Sequence, residues 1–195
     1  MTRYSRTLLA VVATTATLGA LVGAASANRL SLSTRTLSAT WSSLTFTSSG
    51  FATNRCVVTL SGSFHSSTFT KTVGSLVGYI TGASIGICSG MTARANTETL
   101  PWHLRYASFT GTLPSITSLR FAVVGFSFEI LSGFRCRYTS TAASPVTTSF
   151  TLGAGGTATA VGVSGGIASS TGGFCPTMVL SGTSVGMTSL TVRLI

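Results

Sequence analysis

The stretch TETLPWHLRY, residues 97–106, gathers side chains that are rare in this chain and that could do chemistry. It holds Glu98, which is one of the two acidic residues of the chain, and His103, which is one of its two histidines. It also holds the basic residue Arg105. A hydrolase of the Ser-His-acid kind needs a carboxylate that orients the histidine. Glu98 and His103, with one of the many serines, could supply that arrangement. A small secreted hydrolase that uses these two residues is therefore one alternative for the function.

Paired carboxylates are the second chemistry to consider, because a glycosidase needs two of them about 5–10 Å apart. The chain contains no aspartate, so Glu98 and Glu129 would have to form that pair. Glu129 lies between Phe128 and Ile130 and would point to the opposite face of a strand. We therefore expect Glu129 to be a solvated strand residue, and we predict no catalytic residue and no cofactor.

The cysteines decide between a metal site and disulfides. A copper or zinc site at His65 and His103 would need cysteine partners, but no Cys-x-x-Cys spacing is present. An even number of cysteines in an exported chain indicates two disulfides. We therefore predict no metal site and two bridges, with three possible connectivities. We prefer Cys56–Cys88 with Cys136–Cys175, because each half of the chain then closes separately.

The N-terminal segment has the pattern of a secretory signal peptide. Arg3 and Arg6 precede an apolar stretch at residues 8–22, and Ala25-Ser26-Ala27 forms a small-x-small cleavage site. We therefore predict a signal peptide over residues 1–27 and a single domain over residues 28–195. The apolar stretch is too short and too weak to span a membrane stably. We expect the mature protein to be secreted or associated with the cell envelope, with no stable membrane span.

The mature chain would be basic, with nine arginines and one lysine against two acids, a net charge of +8 from 10 − 2. Serine, threonine and glycine supply most of the remaining polarity, since aspartate and glutamine are absent. Such a surface suits an anionic partner, such as an envelope polymer or a glycan. The basic residues are scattered singly along the chain, so we predict no specific binding to nucleic acid.

Apolar and polar residues alternate with a period of two, which is typical of half-buried strands. After Pro101, which suits the first position of a strand, Trp102 and Leu104 would point inward, and His103 and Arg105 outward. We therefore predict that His103 and Arg105 form a contact patch for an anion or a glycan. This strand covers residues 102–110. Other segments that we predict to be strands are 30–37, 43–48, 55–60, 66–72, 76–87, 134–138, 147–152, 157–163, 176–181 and 190–194.

The longest predicted strand, residues 119–130, changes phase at Val124-Gly125, and we interpret this change as a β-bulge in a strand that crosses between sheets. In the stretch GYITGASIGICSG, the glycines at 78, 82 and 86 would let another layer approach closely. About ten to twelve short strands in one domain indicate an all-β fold. We predict an antiparallel β-sandwich or a sandwich-like barrel with two disulfides.

The run ETLPWHLRYASFTGTLPSIT, together with the flanking cysteines, resembles a group of uncharacterised exported proteins of high-GC Gram-positive bacteria. Those proteins carry a similar ETLPWH…SFTGTLP core. The resemblance implies an exported, cysteine-bridged domain, and it implies no activity and no functional residue.

For the function we expect a secreted, non-catalytic surface, binding or structural module that contacts an anionic envelope polymer or glycan. One alternative is the hydrolase that uses Glu98 and His103. The other is an outer-membrane β-barrel, suggested by the low charge and the apolar strands.

Overall fold

A computed structural model describes residues 29–113, 115–131, 133–171 and 173–195. The predicted signal peptide lies outside these residues. No helix in the described ranges is long and apolar enough to cross a membrane. These ranges contain fifteen strands: β1 (Arg29–Leu32), β2 (Thr36–Thr47), β3 (Asn54–Phe64), β4 (Thr68–Thr70), β5 (Leu76–Cys88), β6 (Thr92–Ala95), β7 (Trp102–Thr112), β8 (Ser115–Val124), β9 (Ser127–Leu131), β10 (Arg135–Thr139), β11 (Val146–Leu152), β12 (Ala158–Ile167), β13 (Met178–Thr183), β14 (Gly186–Met187) and β15 (Val192–Leu194).

Eight of the strands form one antiparallel sheet that closes on itself. Its order is β2-β3-β5-β7-β8-β11-β12-β13, and β13 pairs back with β2, so that Leu180 lies opposite Phe46. The short strand β14 pairs with the first half of β2. The all-β prediction is confirmed, and closure of the sheet gives the sandwich-like barrel among the two forms predicted.

The interior of the closed sheet is filled by alternate apolar side chains. Trp102, Leu104 and Tyr106 of β7 are buried, and His103 and Arg105 lie on the outer side of the same strand, as the alternation predicts. The gap that remains between the inward side chains measures only about 20 Å³. The closed sheet therefore contains a packed core at this place rather than a ligand chamber.

A small three-stranded sheet covers each end of the closed sheet. At one end, β1 pairs with β4 and β15, and Phe69 of β4 packs against Phe64. At the other end, β9 lies between β6 and β10, and Phe128 of β9 makes an edge contact with Phe46, with ring centroids 5.1 Å apart. We call the β6-β9-β10 sheet the lid, because it places its apolar face over the core.

Both predicted disulfides are present, and no described cysteine is free. Cys56 and Cys88 lie directly opposite each other on β3 and β5. Cys136 on the buried face of β10 is joined to Cys175, which precedes β13. The second bridge therefore ties the lid to the wall of the closed sheet.

Two expectations for the strands need correction. Residues 119–130 do not form one bulged strand, because the chain ends β8 at Val124, turns at Gly125 with φ 89°, and enters the lid as β9. The crossing between sheets is real, but it is a break rather than a bulge. The predicted strand 30–37 likewise includes the bend that separates β1 from β2.

Gly78 and Gly82 of β5 serve close approach of the neighbouring strand β3 rather than of another layer, and Gly86 does not. A Cβ atom on Gly78 would collide with the Ser63 carbonyl oxygen of β3 and would lie 3.0 Å from the Cα atom of Phe64. A Cβ atom on Gly86 would meet Val57 at 3.6 Å, which is ordinary contact.

Gly78→Ala should therefore lower the free energy of unfolding by about 1–3 kcal/mol, because the backbone of β3 must shift to admit the methyl group. Gly86→Ala on the same strand is the matched control and should change stability by less than about 1 kcal/mol. Urea unfolding of both variants measures the difference. Equal effects of the two substitutions would contradict the role assigned to Gly78.

Candidate functional site

The outer face of the lid places three arginines around one glutamate. Glu129 lies on the central strand β9, and the register sets it directly opposite Arg94 of β6 on one side and Arg137 of β10 on the other. Arg135 lies two residues before Arg137 and therefore on the same face of β10. Directly opposed residues of opposite charge are the favourable cross-strand arrangement in an antiparallel sheet.

Each of the two directly opposed arginines directs two of its nitrogen atoms at a single oxygen of the carboxylate. The Nε atom of Arg94 donates to Oε2 of Glu129 at 2.8 Å, and its Nη2 atom lies 2.6 Å from the same oxygen. Arg137 donates from Nε at 3.0 Å and from Nη2 at 2.8 Å to Oε1. The Nε atom of Arg135 is 3.8 Å from Oε2, which is an ion pair without a hydrogen bond.

The expectation that Glu129 is a solvated strand residue is wrong. Its side chain is 2% exposed, whereas those of Arg94, Arg135 and Arg137 are 53%, 57% and 42% exposed. The Glu129 side chain points outward from β9, as the alternation predicts, but arginines on both neighbouring strands cover its carboxylate. Its charge is buried and paired, and the positive charges remain accessible to water.

Burial raises the pKa of Glu129, but the opposing effects are larger together. Hydrogen bonds from Arg137 and Arg94, and the positive charges of Arg94 and Arg135, bring the pKa of this carboxyl below its ordinary value of 4.5. The residue is therefore ionised at neutral pH. A glycosidase acid needs a raised pKa, so this environment disfavours Glu129 as the general acid of a Glu98–Glu129 pair.

An open cleft of about 510 Å³ lies over this cluster, and Glu98 stands on its wall. The described lining residues contribute three positive and two negative side chains, a formal charge of +1, and they are Arg94, Ala95, Asn96, Thr97, Glu98, Glu129, Arg135 and Arg137. The structure thus brings both acids of the chain to one cleft.

The turn that carries Glu98 is anchored to the core. Residues Thr97–Thr99 form a single 3-10 turn, and the Oγ1 atom of Thr99 donates to the Asn96 carbonyl at 2.8 Å. The indole Nε1 of Trp102 donates to Thr99 Oγ1, also at 2.8 Å. Trp102 is 1% exposed and makes an edge contact with Phe126. Trp102 therefore links the turn that carries Glu98 to the core.

The predicted contact residues His103 and Arg105 lie on the outer face of β7, away from the Glu129 cluster. His103 packs beside Tyr79, at a ring distance of 5.5 Å, and His65 makes an edge contact with the other side of Tyr79 at 4.7 Å. Arg105 donates from Nη1 to the Gly74 carbonyl at 3.0 Å, so part of its guanidinium holds the 72–75 turn. The two histidines thus share an aromatic row, which alternation alone did not predict.

The geometry does not assemble the hydrolase that Glu98 and His103 could have formed. Among the described residues, no hydrogen bond joins these two side chains, although a Ser-His-acid site needs one. Three segments fit the Gly-x-Ser-x-Gly spacing of a nucleophile turn, with Ser84, Ser164 and Ser184 at their centres. Ser84 and Ser164 lie within strands, and Ser184 joins β13 to β14. Such a nucleophile needs a turn from a strand into a helix, so none of the three has that setting.

Within the described residues, no group of three or more His, Cys, Asp or Glu side chains could hold a metal ion. Comparisons with protein-family models, with curated proteins and with solved structures find no match for this chain.

The sequence contained part of the signal for the arginine cluster. Alternation places Arg135 and Arg137 on the face of their strand that Cys136 does not occupy, and it places Glu129 on the face that Phe128 does not occupy. A hairpin between these two segments would therefore pair Glu129 with Arg137. Arg94 gave no such signal, because β6 is only four residues long and carries no clear apolar alternation.

Glu129→Gln should lower the free energy of unfolding by about 1–3 kcal/mol, because an amide offers one accepting oxygen and turns its NH2 group toward a guanidinium. The matched control is Glu98→Gln, an exposed change in the same cleft, which should stay within about 0.5 kcal/mol. Chemical unfolding at neutral pH measures both. A loss in the control as large as that in Glu129→Gln would contradict the structural role of Glu129.

The stability difference between the wild type and Glu129→Gln should also depend on pH. The pKa of Glu129 is lower in the folded protein, so the unfolded chain takes up the proton first as the pH falls. The difference should therefore be fully present above about pH 5, and it should decline as the pH falls toward and through the folded pKa. Urea unfolding at a series of pH values measures it. A difference that is unchanged down to about pH 2 would refute the lowered pKa.

Proposed function

We propose that this protein is a secreted, non-catalytic binding module for an anionic envelope polymer or glycan. The single observation that carries the proposal is the lid cluster, in which three accessible arginines share one buried carboxylate. Arg94 and Arg137 divide the charge of Glu129 between them. The cluster therefore keeps a surplus of positive charge at the floor of an open cleft.

Arg135 is the residue best placed to bind the partner. The distance of 3.8 Å between its Nε atom and Oε2 of Glu129 is too long for a hydrogen bond, unlike the contacts that Arg94 and Arg137 make. The Arg135 side chain is 57% exposed. A planar guanidinium pairs in a bidentate manner with a carboxylate, a sulfate or a phosphate oxygen pair. The donors of Arg135 are thus available to an anion that approaches from the cleft.

The neighbouring arginines are ordered before any ligand arrives. Paired contacts from two nitrogen atoms to one oxygen of Glu129 hold each of the Arg94 and Arg137 side chains, and both strands belong to one small sheet. An ordered side chain loses less conformational entropy on binding than a freely rotating one. Glu129 acts in this proposal as an internal counter-ion that positions donors rather than as a reacting group.

The outer face of β7 provides a second contact surface in the same proposal. Tyr79 and the flanking rings of His65 and His103 offer flat faces against which a sugar ring can pack, and Arg105 adds a positive charge. This surface keeps His103 and Arg105 as binding residues. The two disulfides suit an oxidising compartment outside the cell.

The two alternatives have less support. A hydrolase would need a histidine oriented by a carboxylate, and His103 instead packs beside Tyr79. An outer-membrane protein would need apolar side chains on its outside and polar ones within. Here the inward positions of the closed sheet are apolar, and most outward positions of strands such as β2 and β11 are serine or threonine.

Arg135→Ala should weaken binding to dextran sulfate about tenfold or more, because one bidentate charge-assisted contact is lost. Arg120→Ala removes the same charge from the exposed outer face of β8 and should weaken binding less than about twofold. Fluorescence anisotropy with labelled dextran sulfate, and with uncharged dextran as the blank, measures both, and binding should weaken with added salt. Equal losses in the two variants would show that net charge, not the cleft, binds the polymer.

A further inference from the structure

The negative charge of Glu98 is unfavourable in a cleft that binds only anions. It lines the same cleft as the three arginines, its side chain is exposed, and it makes no hydrogen bond or ion pair with any described residue. A second carboxylate beside the arginines lowers the attraction for a purely anionic ligand. In a chain with only two acids, this one has no structural partner to explain its position.

The position of Glu98 is nevertheless fixed by the fold. Its turn, residues Thr97–Thr99, is tied at one side by the Asn96 backbone amide, which donates to the Ser127 carbonyl of β9 at 2.9 Å. At the other side the hydrogen bond from Trp102 to Thr99 joins the turn to the core. The carboxylate therefore stands on a supported wall next to the arginine floor.

We propose that the cleft recognises a zwitterionic unit, in which a phosphate or carboxylate group and a primary ammonium group belong to the same ligand. The anionic group pairs with Arg135 and with the outer donors of Arg137, and the ammonium pairs with Glu98. This inference rests on the proposed anion-binding function and names the class of ligand that the same cleft selects.

Outside the contacts with Glu129, the cleft offers such a unit one positive and one negative side chain. Glu129 is already bound by Arg94 and Arg137, so it is not available to a ligand cation. Of the described residues that line the cleft, Arg135 and Glu98 are the positive and the negative side chain without a hydrogen-bonded charge partner. An anion alone would meet Glu98 unfavourably, and a cation alone would meet three arginines.

Two small probes that differ only in the ammonium group test the inference. O-phosphoethanolamine and ethyl phosphate carry the same phosphate monoester, and NMR titration of the intact protein gives a dissociation constant for each from backbone amide shifts of residues 94–98 and 135–137. The wild type should bind O-phosphoethanolamine about two- to fivefold more tightly, the range expected for an exposed ion pair.

Glu98→Gln should remove this preference in a specific way. It should weaken binding of O-phosphoethanolamine and strengthen binding of ethyl phosphate, because the ammonium loses its partner while the phosphate loses a repulsive neighbour. The control is Thr151→Lys, which raises the net charge by the same amount. Thr151 lies on the exposed outer face of β11, at the end of this strand that is farther from the lid. This control should leave the preference between the two probes unchanged.

The outcomes separate this inference from the function on which it rests. If ethyl phosphate binds at the cleft but O-phosphoethanolamine binds no more tightly, the zwitterion inference is overturned and anion binding stands. If Glu98→Gln strengthens binding of both probes equally, the inference is overturned as well. If neither probe shifts the cleft amides and dextran sulfate does not bind, the proposed function itself fails.

Discussion

A sheet that closes on itself leaves two open ends, and the rest of this structure depends on how those ends are covered. Inward side chains fill the middle of the closed sheet, but its end layers would meet water without further cover. Phe46 and Trp102 at one end are covered by Phe128 and Phe126. At the other end Phe69 covers Phe64. The inner face of the lid thus buries aromatic surface, and its outer face remains accessible for binding.

The candidate site follows from that arrangement through the period of two. A strand that places Phe128 and Ile130 on the core must place Glu129 on the outside. The same rule sends Arg137 outward from the buried positions of β10. Two neighbouring strands then bring opposite charges together, and the carboxylate is buried by its partners rather than by apolar groups. The proposed function uses what remains after this pairing, which is the positive charge that one carboxylate cannot balance.

Local patterns were sufficient for much of the fold and for little of the site. The strand predicted at residues 102–110 is observed as β7 from Trp102, because a proline followed by regular alternation is a local signal. The change of phase at Gly125 predicted the correct position of the interruption, but it was interpreted as a bulge, whereas the chain changes sheet there. A bulge and a change of sheet interrupt the alternation in the same way. The lid strand β6 was missed because four residues carry too little periodicity to be recognised.

The sequence by itself determined the all-β class, the inward and outward faces of strands such as β7 and β10, and a chain with almost no acids to act as catalysts. Only the tertiary structure decided that the sheet closes and that Glu129 is buried. The physical reason is that alternation reports which way a side chain points, while burial depends on what covers it. Arg94 covers Glu129 from a strand 35 residues earlier in the chain, and no local pattern contains that pairing.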